Sequence, residues 1–289
     1  RLPQRAFNAC YLKLRMKKAM VSASIILLAV YSFLVGAMYL KQDSIVYFPE
    51  KEISQTPRDV NLYYEDVTFR TKDGFIISGW YIPVKDAQKT VIFCHGNAGN
   101  LSHFMGHIKV FNDLKFNVLS FDYRGYGKSE GSPSEEGTYL DAEAAWDFLV
   151  TEYKMHPQDI IVVGYSIGGA IATELAKRKR VATLIVESSF TSLPDLAKKY
   201  YPWLPVRLIS KYEYASVDKL GSISYPKLFI HSQDDDIVPF EHGKALYEKA
   251  SQPKEFLAIK GRHNDGIFIS GRLYVEGVTK FFEKYNIIR

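Results

Sequence analysis

Cysteine is almost missing from this chain: 289 residues contain two, Cys10 and Cys94. A disulfide-stapled scaffold is therefore excluded, and no Cys/His cluster has zinc-ligand spacing. No metal or organic cofactor is expected. Internal repeats and low-complexity tracts are absent, which excludes solenoids, propellers and disordered linkers as the main architecture. The chain also lacks a Gly-x-x-x-x-Gly-Lys-Ser/Thr phosphate loop; Arg124-Gly125-Tyr126-Gly127-Lys128-Ser129 has the wrong spacing and reads as a turn after a strand.

Acid is missing from the first 19 residues, which carry Arg1, Arg5, Lys13, Arg15, Lys17 and Lys18. That segment accounts for +6, and the rest, with 31 basic and 32 acidic residues, sums to −1. A basic tail on a near-neutral body argues against nucleic-acid binding by the body. The basic tail instead precedes the one long apolar run, Met20 to Leu40, twenty-one residues without a charge. At 1.5 Å per residue such a helix covers about 31 Å, a bilayer core. The run is longer than a signal-peptide core and lacks a clear small-x-small cleavage site, so a transmembrane anchor is preferred over a cleaved signal or a buried helix. The lipid bilayer is thus an expected partner through residues 20–40. Tyr39 suits an interface, and the basic flank favours the cytoplasm, making a single-pass type II protein with its body on the non-cytoplasmic side. The anchor would separate Cys10 from Cys94, so no bridge is expected; Cys10 reads as a free thiol, with palmitoylation the competing reading. Arg1, not Met, stands first, so the start is left open.

The expected organisation is a basic tail at 1–19, the anchor at 20–40, an irregular stalk at 41–59 with Pro49 and Pro57 as breakers, and a catalytic domain at 60–289. Asp66–Arg70 and Phe75–Ile82 flank Lys72-Asp73-Gly74 and predict a hairpin. Strand-like runs at Thr90–Cys94, Asn117–Phe121, Asp159–Val163, Ala182–Val186, Lys227–Ile230 and Glu255–Ile259 then alternate with helical patterns, including 241–250 and 272–285. Ser132-Pro133-Ser134-Glu135 fits a capping box starting a helix to about Tyr153. The alternation predicts an α/β fold, a mostly parallel sheet opened by an antiparallel hairpin with helices on both faces. The aromatic, proline-bearing stretch 188–224 interrupts this rhythm and predicts a small cap or lid.

The chemistry is carried by Gly164-Tyr165-Ser166-Ile167-Gly168-Gly169, which follows a β-branched strand and precedes the helical run from Ala170 to Arg178. This is a nucleophile elbow in strand–turn–helix context, lifting the Ser166 hydroxyl to a helix N-terminus. A serine needs a base and an orienting acid. In elbow hydrolases the acid and the histidine follow the serine in that order. His263, after the last strand, is the candidate base. The acid comes from Asp234-Asp235-Asp236, after the preceding strand; Asp235 is preferred, its neighbours read as solvated loop charges, and Glu187 is an alternative position. The N–H groups of Ile167 and Asn97 are the candidate oxyanion donors. His95 precedes the serine and reads as structural.

Together, His95-Gly96-Asn97-Ala98-Gly99-Asn100, Asp122-Tyr123-Arg124-Gly125-Tyr126-Gly127-Lys128-Ser129-Glu130-Gly131, the elbow, the Asp235 loop with its Asp-x-x-Val-Pro arrangement and His263-Asn264-Asp265 resemble the α/β-hydrolase-domain proteins. The likeness spans roughly residues 60–285. It is nearest to the branch of single-pass, type II anchored serine hydrolases related to protein depalmitoylases. It implies a serine hydrolase acting on an ester, thioester or amide through a Ser166–His263–Asp235 triad. Relatives often carry Arg-Ser-Leu where this chain has Tyr165-Ser166-Ile167, which implies altered packing at the elbow. The lipase-type His-Gly-Gly-Gly is absent, which disfavours a triglyceride lipase. Ester or thioester cleavage leads; a peptidase and a non-catalytic interaction module are the alternatives, the latter disfavoured because all three triad residues are present.

Overall fold

The computed structural model describes residues 4–288. The side chains of residues 4–6, 9 and 10 lie outside the described set, so the readings placed on Arg1, Arg5 and Cys10 fall outside it.

Eight strands make one sheet: β1 (Glu65–Arg70), β2 (Ile76–Ile82), β3 (Thr90–Cys94), β4 (Asn117–Phe121), β5 (Ile160–Tyr165), β6 (Thr183–Glu187), β7 (Lys227–Ser232) and β8 (Lys254–Ile259). Their spatial order is β8-β7-β6-β5-β3-β4-β2-β1. Strand β2 runs antiparallel to β1 and β4, and the remaining pairings are parallel. The expected hairpin is present, its turn closed by Gly74 N–H donating to the Thr71 carbonyl at 3.0 Å. Gly74 sits at φ +98°, a conformation glycine adopts without a Cβ penalty.

Seven helices are used below: α1 (Gln4–Leu40), α2 (Met105–Asp113), α3 (Glu135–Thr151), α4 (Ile167–Arg178), α5 (Leu193–Tyr200), α6 (Phe240–Lys249) and α7 (Gly266–Lys284). Side chains alternate across a strand, so β3 feeds two cores. Ile92 and Cys94 join the layer holding residues of α3 and α4, while Val91 and Phe93 join the layer holding residues of α2 and α7. Coverage on both faces is why the inner strands are continuous apolar runs rather than alternating ones.

Three local readings differ from the structure. Ser134, not Ser132, caps α3, accepting the Gly137 N–H at 3.1 Å. Glu135 is unavailable for a capping box because its carboxylate accepts the N–H groups of Glu213 and Tyr214 and the Tyr139 hydroxyl. Helix α7 begins at Gly266, six residues earlier than the pattern indicated, with a non-helical break at Gly271 (φ 38°) that interrupts the periodicity. The segment read as an irregular stalk is folded against the body. Gln42–Val46 is a short helix, and Phe48–Pro49 pairs in parallel with Ala98–Gly99. Pro57 opens a 3-10 turn, Pro57–Val60, rather than breaking one.

The insertion between β6 and β7 contains α5, the short helix Val206–Ile209 and two 3-10 turns. Ser192 caps α5 by accepting the Asp195 N–H at 3.2 Å. Tyr11–Leu40 of α1 is long and apolar enough to cross a bilayer, with mean hydropathy 2.2 over a stretch that is not buried in the molecule; Val35, Ala37 and Met38 near its end are half-buried.

Candidate active site

Strand β5 ends at Tyr165 and α4 begins at Ile167, leaving Ser166 alone in the turn at φ +56° and ψ −122°. A non-glycine residue in that region stores strain and is held there only by its surroundings. Its N–H donates to the Glu187 carbonyl at the end of β6, 2.9 Å away, and its carbonyl accepts the Gly169 N–H at 2.9 Å. The motif glycines let the helix close on the sheet. A Cβ at Gly164 would lie 2.1 Å from the Gly168 oxygen, and one at Gly168 would lie 2.0 Å from the Cys94 oxygen.

Loops from two other strand ends complete the arrangement. His263 follows β8, and its Nε2 lies 3.1 Å from Ser166 Oγ. Its Nδ1 lies 2.8 Å from Oδ2 of Asp235, which follows β7. A carboxylate beside Nδ1 makes that nitrogen the donor and leaves Nε2 to accept the Ser166 hydroxyl proton. Ser166 is 7% and His263 6% exposed, so solvent competes little with either bond.

Asp235 Oδ1 accepts the N–H groups of Ile237 at 3.0 Å and Val238 at 2.7 Å. Burial pushes the Asp235 carboxyl upward. The hydrogen bond and charge of His263, the Val238 N–H and the charge of His231 outweigh it and hold the group below the ordinary carboxylate value. Asp234 is exposed, as expected of a solvated charge. Asp236 departs from that reading: though exposed, its Oδ1 accepts the His263 N–H at 3.1 Å and so braces the imidazole's backbone. The His263 carbonyl accepts the Tyr165 hydroxyl at 2.6 Å. Neither brace was foreseen, because its two ends stand 27 and 98 residues apart in sequence.

Asn97 and Ile167 line the same cavity as Ser166 and His263. The Ile167 N–H is the first amide of α4, where a helix has no internal acceptor to offer. The Asn97 loop is fixed by the folded segment before β1. Asn97 Nδ2 donates to the Val46 carbonyl at 2.9 Å, and the Asn97 carbonyl accepts from Phe48 N–H at 3.0 Å and the Tyr126 hydroxyl at 2.7 Å. Residues 46–48 were read as stalk, and nothing local in them marks this contact.

The competing candidates lie elsewhere. His95 is fully buried, its Nδ1 2.7 Å from the Gly96 carbonyl, consistent with a structural part. Glu187 accepts the Tyr274 hydroxyl at 2.7 Å and faces His107 at 3.4 Å, so it does not reach His263 as an alternative acid.

A cavity of about 590 Å³ opens above Ser166, within the range of small-molecule sites. Its walls are mainly apolar: Phe104, Phe190, Leu196, Leu204, Val238 and Phe268 surround the polar floor.

Comparison with known proteins agrees with this fold. The α/β hydrolase fold family matches residues 89–211. An uncharacterised Mycobacterium tuberculosis protein is 33% identical, covering 90% of this chain and 93% of its own. Human alpha/beta hydrolase domain-containing protein 17B is 34% identical over 73% of each chain. Among solved structures, the Pyrococcus furiosus esterase Pf2001 superposes with a TM-score of 0.69 at 25% identity, covering 83% of this chain and 98% of that one. Shared sequence along most of the length and a shared sheet lead to one conclusion: this chain belongs to the α/β-hydrolase family, among its alpha/beta hydrolase domain-containing proteins.

Proposed function

We propose that this protein is a membrane-anchored serine hydrolase that cleaves carboxylic esters or thioesters through an acyl-enzyme. The observation that carries the reading is the unbroken relay from Ser166 Oγ through His263 to Asp235, at 3.1 and 2.8 Å. Ser166 Oγ attacks the acyl carbon as its proton passes to His263 Nε2. The ionised Asp235 stabilises the resulting imidazolium, and the N–H groups of Ile167 and Asn97 receive the oxyanion. Collapse breaks the bond to the leaving alcohol or thiol, which takes the proton from Nε2. Water then gives a proton to Nε2, attacks the acyl carbon and frees the acid, and the proton returns to Ser166.

The apolar cavity supports an acyl chain as the substrate's recognised part, in line with the esterase named among the structural neighbours. The exposed apolar surface of α1 supports a bilayer anchor at residues 20–40. Its basic flank favours the cytoplasm, which puts the catalytic body on the other side.

A fluorophosphonate probe is expected to label the wild type covalently and to leave Ser166→Ala unlabelled. Folded wild type that resists such probes would overturn the reading. Turnover of p-nitrophenyl esters and acyl thioesters above that of aminoacyl amides is expected; the reverse order would identify a peptidase.

A further inference from the structure

The wall of the cavity is not made by the hydrolase body alone. Met38, from the last turn of α1, and Ile45, from the short helix after it, line the cavity with Leu196, Tyr201, Leu204 and Ile209 of the cap. Polar contacts tie the cap to the anchor along this seam. The Tyr31 hydroxyl donates to the Trp203 carbonyl at 3.1 Å. Gln42 donates Nε2 to the Ile209 carbonyl at 2.7 Å and accepts the Lys211 N–H at 2.7 Å.

Tyr31 lies nine residues before Leu40, so the helical rise puts its Trp203 contact about 13 Å back from the end of α1. That level falls within the apolar run. The side chains at the cap tip match it: Leu208 is 87% exposed, Trp203 49% and Tyr200 46%. Lys198, Lys199 and Arg207 are exposed beside them, Arg207 also pairing with Asp195. Large apolar and aromatic tips suit the acyl-chain region, and the long stems of the neighbouring cations carry their charges toward the headgroups. The Tyr31 bond also satisfies a cap carbonyl that hydrocarbon would leave unpaired.

We infer that residues 200–209 form a second membrane contact, seated in the leaflet around the C-terminal end of α1. The cavity opens to that leaflet through the seam between Met38 and the cap, so an acyl chain held in the membrane reaches Ser166 without crossing water. This inference rests on the anchored-hydrolase reading above and narrows its substrate to a leaflet-borne acyl ester or thioester.

The test uses the full chain in vesicles of phosphatidylcholine and phosphatidylserine. Bromine placed along the lipid chains is expected to quench Trp203 emission, and Trp203→Phe should abolish that component, leaving Trp80 and Trp146. Leu208→Glu, on a side chain outside the cavity wall, is expected to leave hydrolysis of p-nitrophenyl butyrate unchanged. Hydrolysis of vesicle-borne p-nitrophenyl palmitate should fall about tenfold or more, because the added charge is disfavoured in the leaflet. Trp203 quenched by aqueous iodide but not by lipid bromine would overturn the inference, as would equal effects of Leu208→Glu on both esters. Quenching requires no catalysis. Bromine quenching without hydrolysis of either ester would therefore defeat the hydrolase reading while leaving the membrane contact standing, and soluble-ester turnover with Trp203 in water would do the opposite.

Discussion

The two oxygens of Asp235 have separate partners, Oδ2 the imidazole and Oδ1 two backbone N–H groups. Asp235→Asn therefore keeps the loop's shape but presents an amide to His263 and favours the wrong tautomer. Turnover should fall by about 10³- to 10⁴-fold with little change in thermal midpoint. Asp236→Ala removes only a backbone brace, and a loss of about tenfold or less is expected, since effects that reposition a group are smaller than removing it. Collapse at Asp236 with survival at Asp235 would reverse the assignment. That Ser166, His263 and Asp235 meet was legible because motif and chain order place their loops at one sheet edge before geometry is known. Asp236 and Tyr165 were not, because their contribution is a contact with the main chain of His263, which no residue type announces. Lys227 was equally silent: it begins β7 like any strand residue, yet its side chain is fully buried, with Nζ donating to the Ile223 carbonyl and, at 2.8 Å, to the Tyr225 carbonyl. Burial, with the nearby charge of Lys254, lowers its pKa to about 8 from 10.5. Between those values the unfolded chain holds a proton that the folded one has released, so stability rises with pH across that window. The rise is at most about 1.4 kcal/mol per pH unit for one group. Urea midpoints in detergent should thus shift in favour of the wild type over Lys227→Met as pH climbs above 8. A gap constant from pH 7 to 10 would mean that the buried amine titrates normally.

Elements place these residues by close approach. A methyl group on Gly168 would meet the Cys94 carbonyl, a backbone atom that cannot swing aside. Gly168→Ala should therefore push α4 off β3, lower stability by about 1–3 kcal/mol and weaken probe labelling. The oxyanion loop depends on a different element, the segment before the sheet. Asn97→Ala keeps its backbone N–H but drops the bond to the Val46 carbonyl. A fall in kcat of about tenfold with KM little changed is expected, the pattern for a donor less well aimed at the transition state. An unchanged kcat would show that the pairing at Phe48–Pro49 holds the loop by itself. Strand and helix positions were readable because burial on two faces enforces long apolar runs. The segment 41–59 was not: its residues are mixed in polarity, and it is ordered by hydrogen bonds to Asn97, Gly99 and Asn100 together with the buried pair Val46 and Tyr47, too few apolar residues to make a periodic pattern.

For the whole molecule, the largest asymmetry is the charge of the tail against a near-neutral body. On the anchored reading proposed above, six basic residues ahead of Met20 with no acid favour the cytoplasm for that end of the helix, and the opposite end leads directly into the body. The sequence contains one glycosylation acceptor pattern, Asn100-Leu101-Ser102. The fold leaves no room for a glycan there, because Asn100 is fully buried with Nδ2 donating to the Glu50 and Glu52 carbonyls. Topology must therefore be read from an acceptor built on the surface. Asp86 and Gln88 are exposed in the turn before β3, and Asp86 already sits at φ +62°, which asparagine tolerates. The double substitution Asp86→Asn, Gln88→Thr makes an acceptor there without touching the core. In eukaryotic cells the variant should gain a glycan removable by endoglycosidase while an N-terminal tag stays accessible to cytosolic protease. The same variant with Lys13, Arg15, Lys17 and Lys18 changed to Gln should lose part of that glycosylation, because the charge bias that sets orientation would be weakened. A folded, membrane-bound variant that stays unglycosylated, with its body cut by cytosolic protease, would put the catalytic domain in the cytoplasm and reverse the orientation.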